Sequence, residues 1–149
     1  MPAFPDPTDQ VRCLLHERVP AVANGLVQIK AIVRDFGQRT MIAVGSHHAH
    51  IDPIGECVGT RGILIKEMVR HLGGERIDII RWADAPDELI RGAFAPGDAE
   101  RLDLDPSSRR AWIVTHLQPP YPHLFDLDRL DLLSKLTGYE IHVASAGSE

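Results

Sequence analysis

Ile54-Gly-Glu-Cys-Val-Gly-Thr-Arg-Gly-Ile-Leu-Ile65 sets a Gly-x-x-Gly turn, Gly59 to Gly62, between two short apolar segments. Ile54 to Val58 has the length of one and a half helical turns. Ile63 to Leu72 is amphipathic, with Ile63, Ile65, Val69 and Leu72 inward and Lys66, Glu67 and Arg70 outward. Two helices meeting across such a turn make a surface suited to an anion. Glycines let a phosphate approach the backbone because no Cβ stands in the way. Amide N–H groups at the start of the second helix face outward, and the helix dipole favours negative charge there. Arg61 adds a guanidinium beside that path.

Working outward, Gly73-Gly74 ends the second helix and Arg76 to Trp82 alternates as a strand. Upstream, Asp9 is placed to cap a helix running to Arg18, with Val11, Leu14, Leu15 and Val19 at helical spacing, closed by Pro20. Leu26 to Asp35 alternates, with Val27, Ile29, Ala31 and Val33 on one face. Asp35 to Gln38 makes a hairpin loop and Arg39 to Gly45 returns antiparallel. The order over the first 83 residues is therefore α-β-β-α-turn-α-β. Downstream the order recurs. A helix spans 84–95, strands run at 101–105 and 111–115 around a turn at 106–109, a helix covers Leu124 to Leu136, and a strand covers Tyr139 to Val143. His71-Leu-Gly-Gly-Glu-Arg-Ile-Asp-Ile79 and Lys135-Leu-Thr-Gly-Tyr-Glu-Ile-His-Val143 echo each other as helix end, glycine and strand.

The 149 residues are 44% hydrophobic and 25% charged, a globular composition, and aromatics are only 5%. No apolar run exceeds four residues, far below the roughly 20 of a membrane span. The Pro-rich first eight residues lack the basic and apolar regions of a secretory signal. Cys13 and Cys57 make no disulfide framework, so a reducing, cytoplasmic setting is expected. The net charge of -5 argues against coating nucleic acid by charge alone. That charge is uneven. Residues 1–83 hold ten Lys/Arg against nine Asp/Glu, a net of +1, and residues 84–149 hold six against twelve, a net of -6.

The turn and its surroundings resemble the tandem KH region of the NusA family of bacterial transcription elongation and termination factors. The matching stretches are Arg18-Val-Pro-Ala-Val-Ala-Asn-Gly25, Val27-Gln-Ile-Lys-Ala-Ile-Val-Arg34, Gly37-Gln-Arg-Thr40, Ile42-Ala-Val44, Asp52-Pro-Ile-Gly55, Cys57-Val-Gly-Thr-Arg-Gly62 and Gly74-Glu-Arg-Ile-Asp-Ile-Ile-Arg-Trp82. The likeness fades after Pro96 and returns at Leu136 to Val143. It implies an α+β protein of two tandem type II KH domains. Residues 1–8 are then a flexible tail, 9–83 the first domain with its Gly-x-x-Gly, and 84–149 a second, degenerate domain. It further implies single-stranded RNA as ligand, held at Gly59, Thr60, Arg61 and Gly62, with Ile54, Val58, Ile63 and Lys66 on the flanking helices, and about four nucleotides clamped. RNA polymerase or another transcription factor is the implied protein partner, and the chain is expected to be a monomer. Only about 17 residues precede the match. The chain is therefore expected to be a shortened relative or paralogue without the family's polymerase-binding and oligonucleotide-binding-fold domains. Where the family's second unit carries its own Gly-x-x-Gly, His123-Leu-Phe-Asp-Leu-Asp-Arg-Leu130 has no glycine. Asp126, Asp128 and Asp131 would repel a phosphate. That unit is expected to have lost its clamp, and to offer Leu124 and Phe125 to another protein if it has a partner.

Other groupings point less far. His47, His48, His50 and Asp52 are metal-ligand types, but ligands packed into one short loop rarely face one centre, so a polar loop beside the groove is expected. No Ser-His-Asp or Cys-His arrangement is present, and no enzymatic activity, metal or cofactor is expected. Cys57 is read as packed within its helix. Lys30, Arg34, Arg39, Arg61, Lys66, Arg70 and Arg76 are the basic residues available to phosphate. Trp82 and Trp112 are read as packing residues, and Gln118 to Pro122 as a rigid connector. The competing reading is a KH scaffold that has lost nucleic-acid binding and serves as a protein-interaction adaptor, which the acidic second half would suit.

Overall fold

A computed structural model describes residues 6–94, 99–117 and 125–145. Contacts divide the chain into two compact units, residues 1–82 and 83–149. The fold is α+β, with one three-stranded sheet in each unit. The expected connector at Gln118 to Pro122, with Leu124, Pro96 and Gly97, lies outside the described residues.

The first unit opens with α1 (Pro7–Arg18), followed by the short α2 (Pro20–Ala23). The cap of α1 is Asp6 rather than the expected Asp9, and the helix begins inside the expected tail. Pro7 has no N–H and a fixed φ, which suits the first helical position, so the residue before it caps: Asp6 accepts a 2.9 Å bond from the Thr8 N–H. Pro20 likewise starts a second helix instead of only closing the first. Strands β1 (Gln28–Asp35) and β2 (Arg39–Gly45) pair antiparallel, and β3 (Arg76–Arg81) lies parallel to β2, giving the order β1-β2-β3. Between the second and third strands come α3 (Pro53–Val58), a single 3-10 turn (Thr60–Gly62) and α4 (Ile63–His71).

The expected alternation of β1 is interrupted. The register slips between Ile29 and Ala31, leaving Lys30 as an extra residue. One inserted residue moves every later side chain to the other face. Ile29 and Ile32 therefore point at the helices with Ile42 and Val44, while Ala31 and Val33 lie opposite, level with Met41 and Ala43. The helical side forms a core of Val11, Leu14, Leu15, Val22, Cys57 and Met68 around these strand residues.

Helix α4 also departs from its expected face. Met68 is buried, and Leu64, Ile65, Val69 and Leu72 pack on the core, whereas Ile63 is 55% exposed. The inward stripe runs 64, 65, 68, 69, 72, and residue 63 falls off its edge.

The second unit contains α5 (Pro86–Arg91), strands β4 (Arg101–Asp105), β5 (Arg110–Thr115) and β6 (Glu140–Ser145), and α6 (Leu127–Thr137). Its sheet repeats the first, with β4-β5 antiparallel and β5-β6 parallel. Leu89 and Ile90 on α5 are buried, and so is Phe94 just beyond its end; the helix is shorter than the expected 84–95. Phe125 corrects an expectation. It is 6% exposed and stacks on Phe94 with ring centroids 5.3 Å apart, so it belongs to the core and offers nothing to a partner. Arg129 is buried beneath them, 5.3 Å from the Phe94 ring, and donates to the Ala93 carbonyl. Leu127 is the residue left outside, 81% exposed.

Candidate nucleic-acid interface

The two glycines of the Gly-x-x-Gly turn do different work. Gly59 ends α3 at φ 79°, ψ 170°, a region essentially closed to residues with a side chain. A Cβ there would sit 2.6 Å from Leu64 Cγ. Gly62 is left-handed at φ 74°, ψ 19° and starts α4. A methyl at this position would meet only ordinary contacts, Lys66 Cε at 3.7 Å and Ile65 Cγ2 at 3.8 Å. Between the two glycines Arg61 is also left-handed, at φ 56°. Two successive left-handed residues turn the chain sharply from α3 into α4.

The turn closes on itself. The Gly59 N–H donates to the Gly55 carbonyl, the Gly62 N–H to the Gly59 carbonyl, and the Ile63 N–H to the Thr60 carbonyl. The Gly62 and Ile63 amides are thus engaged inside the turn, which narrows the set of donors that an incoming anion meets. Thr60 and Arg61 sit on the outside, exposed, and Lys66 is exposed one turn further along α4. Ile54 and Val58 on α3 are half-buried, with Ile54 packed against the core. Ile63, off the core stripe, presents its side chain to solvent beside Thr60.

Of the seven basic residues expected to be available to phosphate, the structure removes two from any surface role. Arg34 lies in a buried network. Its Nε and Nη2 donate to Glu75 at 2.9 Å, and Nη1 donates to Gln10 Oε1 and to the Pro7 carbonyl. Glu75, 1% exposed, also accepts from the Thr40 hydroxyl and the Gly37 N–H. Burial by itself would raise the Glu75 carboxyl; the Arg34 guanidinium, the Thr40 hydroxyl and the Gly37 amide outweigh it and hold the group below its ordinary value. The network ties the start of α1 to the β1–β2 hairpin and the entry to β3. Phe36, exposed at the hairpin tip, stacks on the same guanidinium at 4.5 Å. Arg39 is buried and paired with Asp78. By contrast Lys30, Arg61, Lys66 and Arg70 are exposed and make no ion pair among the described residues. Sequence reasoning could not sort these residues, because Arg34 meets Glu75 only through the strand register.

The remaining groups follow their surroundings. Cys57 is buried; desolvation first, then the charges of Glu56 and Asp52, push its thiol up to about 11. His47, His48 and His50 are exposed, and among the described residues no three His, Cys, Asp or Glu side chains converge on a common centre. Trp82 and Trp112 are half-buried, Trp112 stacking on His142 at 6.0 Å. In the second unit Asp126 precedes α6, Asp128 bonds the Arg129 N–H, and no helix–turn–helix element corresponding to Gly59–Gly62 occurs among the described residues. No helix among them is long and apolar enough to cross a membrane.

Comparison with known proteins agrees with this layout. Residues 7–82 match the family described as the NusA-like first KH domain. The transcription termination/antitermination protein NusA of Thermus thermophilus is 42% identical over 134 residues, covering 89% of this chain and 35% of that protein. The protein of the same name from Bacillus subtilis is 29% identical over 136 residues, covering 89% of this chain and 36% of that one. The chain thus spans little more than a third of the length of these relatives. A solved structure described as "Crystal structure of APE1850" is similar with a TM-score of 0.62 at 16% identity, covering 93% of this chain and all of that one, a likeness of fold alone.

Proposed function

The chain belongs to the NusA-like KH family, and from that premise we propose that it binds single-stranded RNA through the Gly59–Gly62 turn, in transcription termination or antitermination. The observation that carries this reading is the turn itself. It is a glycine-shaped surface with Thr60 and Arg61 exposed on its rim, next to the unpaired Lys66. The backbone can be approached closely there, and the nearby cations are not neutralised by the protein's own carboxylates. Ile54, Val58 and Ile63 form the apolar shoulder against which bases rest. The relatives are named transcription termination/antitermination proteins, which gives the RNA its context. Association with RNA polymerase or another transcription factor completes the reading.

The second unit acts as a scaffold in this account. No helix–turn–helix element corresponding to Gly59–Gly62 occurs among its described residues, and Asp126 and Asp128 around Leu127 would repel a phosphate by on the order of 1 kcal/mol per close pair in a water-like dielectric. The turn accordingly clamps about four nucleotides, and all contact with RNA stays on residues 26–82. Fluorescence anisotropy with a labelled pool of mixed single-stranded RNA tests the reading. Saturable binding that is unchanged by a chelator is expected. Absence of binding at any accessible concentration would leave the protein-adaptor reading in its place.

A further inference from the structure

Two recesses flank the Gly59–Gly62 turn, and they carry opposite charge. One, of about 560 Å³, is bordered by Asp52, Glu56, Gly59, Thr60, Ile63 and Leu64 among others. The other, of about 330 Å³, is formed by Ile63, Lys66, Glu67 and Arg70 along α4. Ile63 belongs to both and is exposed, so it stands as a ridge between them. On the first side the Asp52 and Glu56 carboxylates meet anything leaving the turn. On the second, Lys66 and Arg70 lie one turn apart on the same helix face, and neither makes an ion pair among the described residues.

We propose that the RNA backbone leaves the turn on the α4 side of Ile63 and that Arg70 is a second phosphate-binding residue, reached after Lys66. This deepens the RNA-binding reading and rests on it. A polyanion passing over the turn has two exits. The α3 side offers two carboxylates at the rim and no cation among its bordering residues. The α4 side offers two cations against one carboxylate, Glu67. Arg70 is seven residues beyond Ile63, about 10 Å along the helix axis. A backbone held at Thr60 and Arg61 therefore reaches it only when the RNA continues beyond the turn. Ile63 keeps the two exits separate and shields the backbone from Glu56.

The experiment is anisotropy on the full chain with RNAs of four and eight nucleotides, comparing wild type, Arg70→Ala, Arg70→Glu and the double variant Thr60→Asp with Arg61→Asp. Arg70 is exposed, so its variants should keep the fold, which circular dichroism checks. The expected result is a loss of three- to tenfold for R70A and more for R70E on the eight-nucleotide RNA, with a change under twofold on the four-nucleotide RNA. The salt slope on the longer RNA should fall by about 0.7 for the one phosphate contact removed. If both Arg70 variants bind the longer RNA like wild type while the turn variant has lost binding, the exit over α4 is wrong and the turn remains the site. If the Arg70 variants weaken both lengths equally, the residue acts through general charge and the path is refuted. If the turn variant itself binds like wild type, the underlying reading fails and the path fails with it.

Discussion

Substituting each glycine of the turn by alanine should give two very different stabilities. At Gly59 the backbone angles, φ 79° and ψ 170°, belong to a region that costs a residue with a side chain about 1–3 kcal/mol. The new methyl would also lie 2.6 Å from Leu64 Cγ and 3.1 Å from its Cβ and Cδ1. Leu64 packs on the core, so it cannot simply swing away, and overpacking of this kind costs about 1–3 kcal/mol more. Gly59→Ala should therefore destabilise the first unit by about 2–6 kcal/mol. At Gly62 the left-handed conformation costs alanine about 1–2 kcal/mol, no atom lies closer than 3.7 Å, and the stiffer unfolded chain returns about 0.5 kcal/mol. Gly62→Ala should cost about 1 kcal/mol. Urea unfolding followed through Trp82 fluorescence, in a Trp112→Phe background, reads the first unit. Equal and small losses for both variants would refute the claim that Gly59 is wedged against Leu64.

Breaking the buried network by Glu75→Ala leaves the Arg34 guanidinium without its carboxylate and should cost about 3–5 kcal/mol by the same unfolding assay. Because the folded-state Glu75 carboxyl titrates below its ordinary value of 4.5, its stabilisation is fully present above that pH and is lost as pH falls through the lower folded value; the wild type, but not Glu75→Gln, should show this added loss. With a thiol reagent at pH 8, one cysteine, the exposed Cys13, should react at once, and Cys57, buried and pushed up to about 11, only on unfolding. Phe125→Ala should cost about 3–5 kcal/mol in the second unit, whereas Leu127→Ser should change stability by less than about 0.5 kcal/mol.

The elements read from the sequence appear largely where glycine, proline and periodicity place them. Gly37, Gly59, Gly62 and Gly138 all take positive φ at the predicted breaks. What the sequence concealed depends on non-local geometry. The slip at Lys30 inverted the faces of β1, because alternation alone cannot reveal an inserted residue. The apolar Phe125 looked like a surface feature of an altered loop, but its partner Phe94 lies thirty-one positions away in the chain and brings it into the core. Arg34 and Arg39 stood among the basic residues available to phosphate because charge in a strand carries no mark of burial. Asp78 reaches Arg39 through the parallel pairing of β2 with β3, and Glu75, just before β3, reaches Arg34 on β1. At the turn the local signal was strong, since Gly-x-x-Gly between helices acts over a few residues. The exposure of Ile63 was missed because helical spacing cannot place the first residue after a left-handed glycine.

The claim that the Gly59–Gly62 turn holds RNA is tested most directly by the variant Thr60→Asp with Arg61→Asp. Both side chains are exposed, and aspartate tolerates the left-handed conformation at position 61, so the fold should be kept. Anisotropy of a labelled single-stranded RNA titrated with the full chain should show saturable binding by wild type and none by the variant at a hundredfold higher concentration. A folded variant that binds the RNA with wild-type affinity would contradict the account.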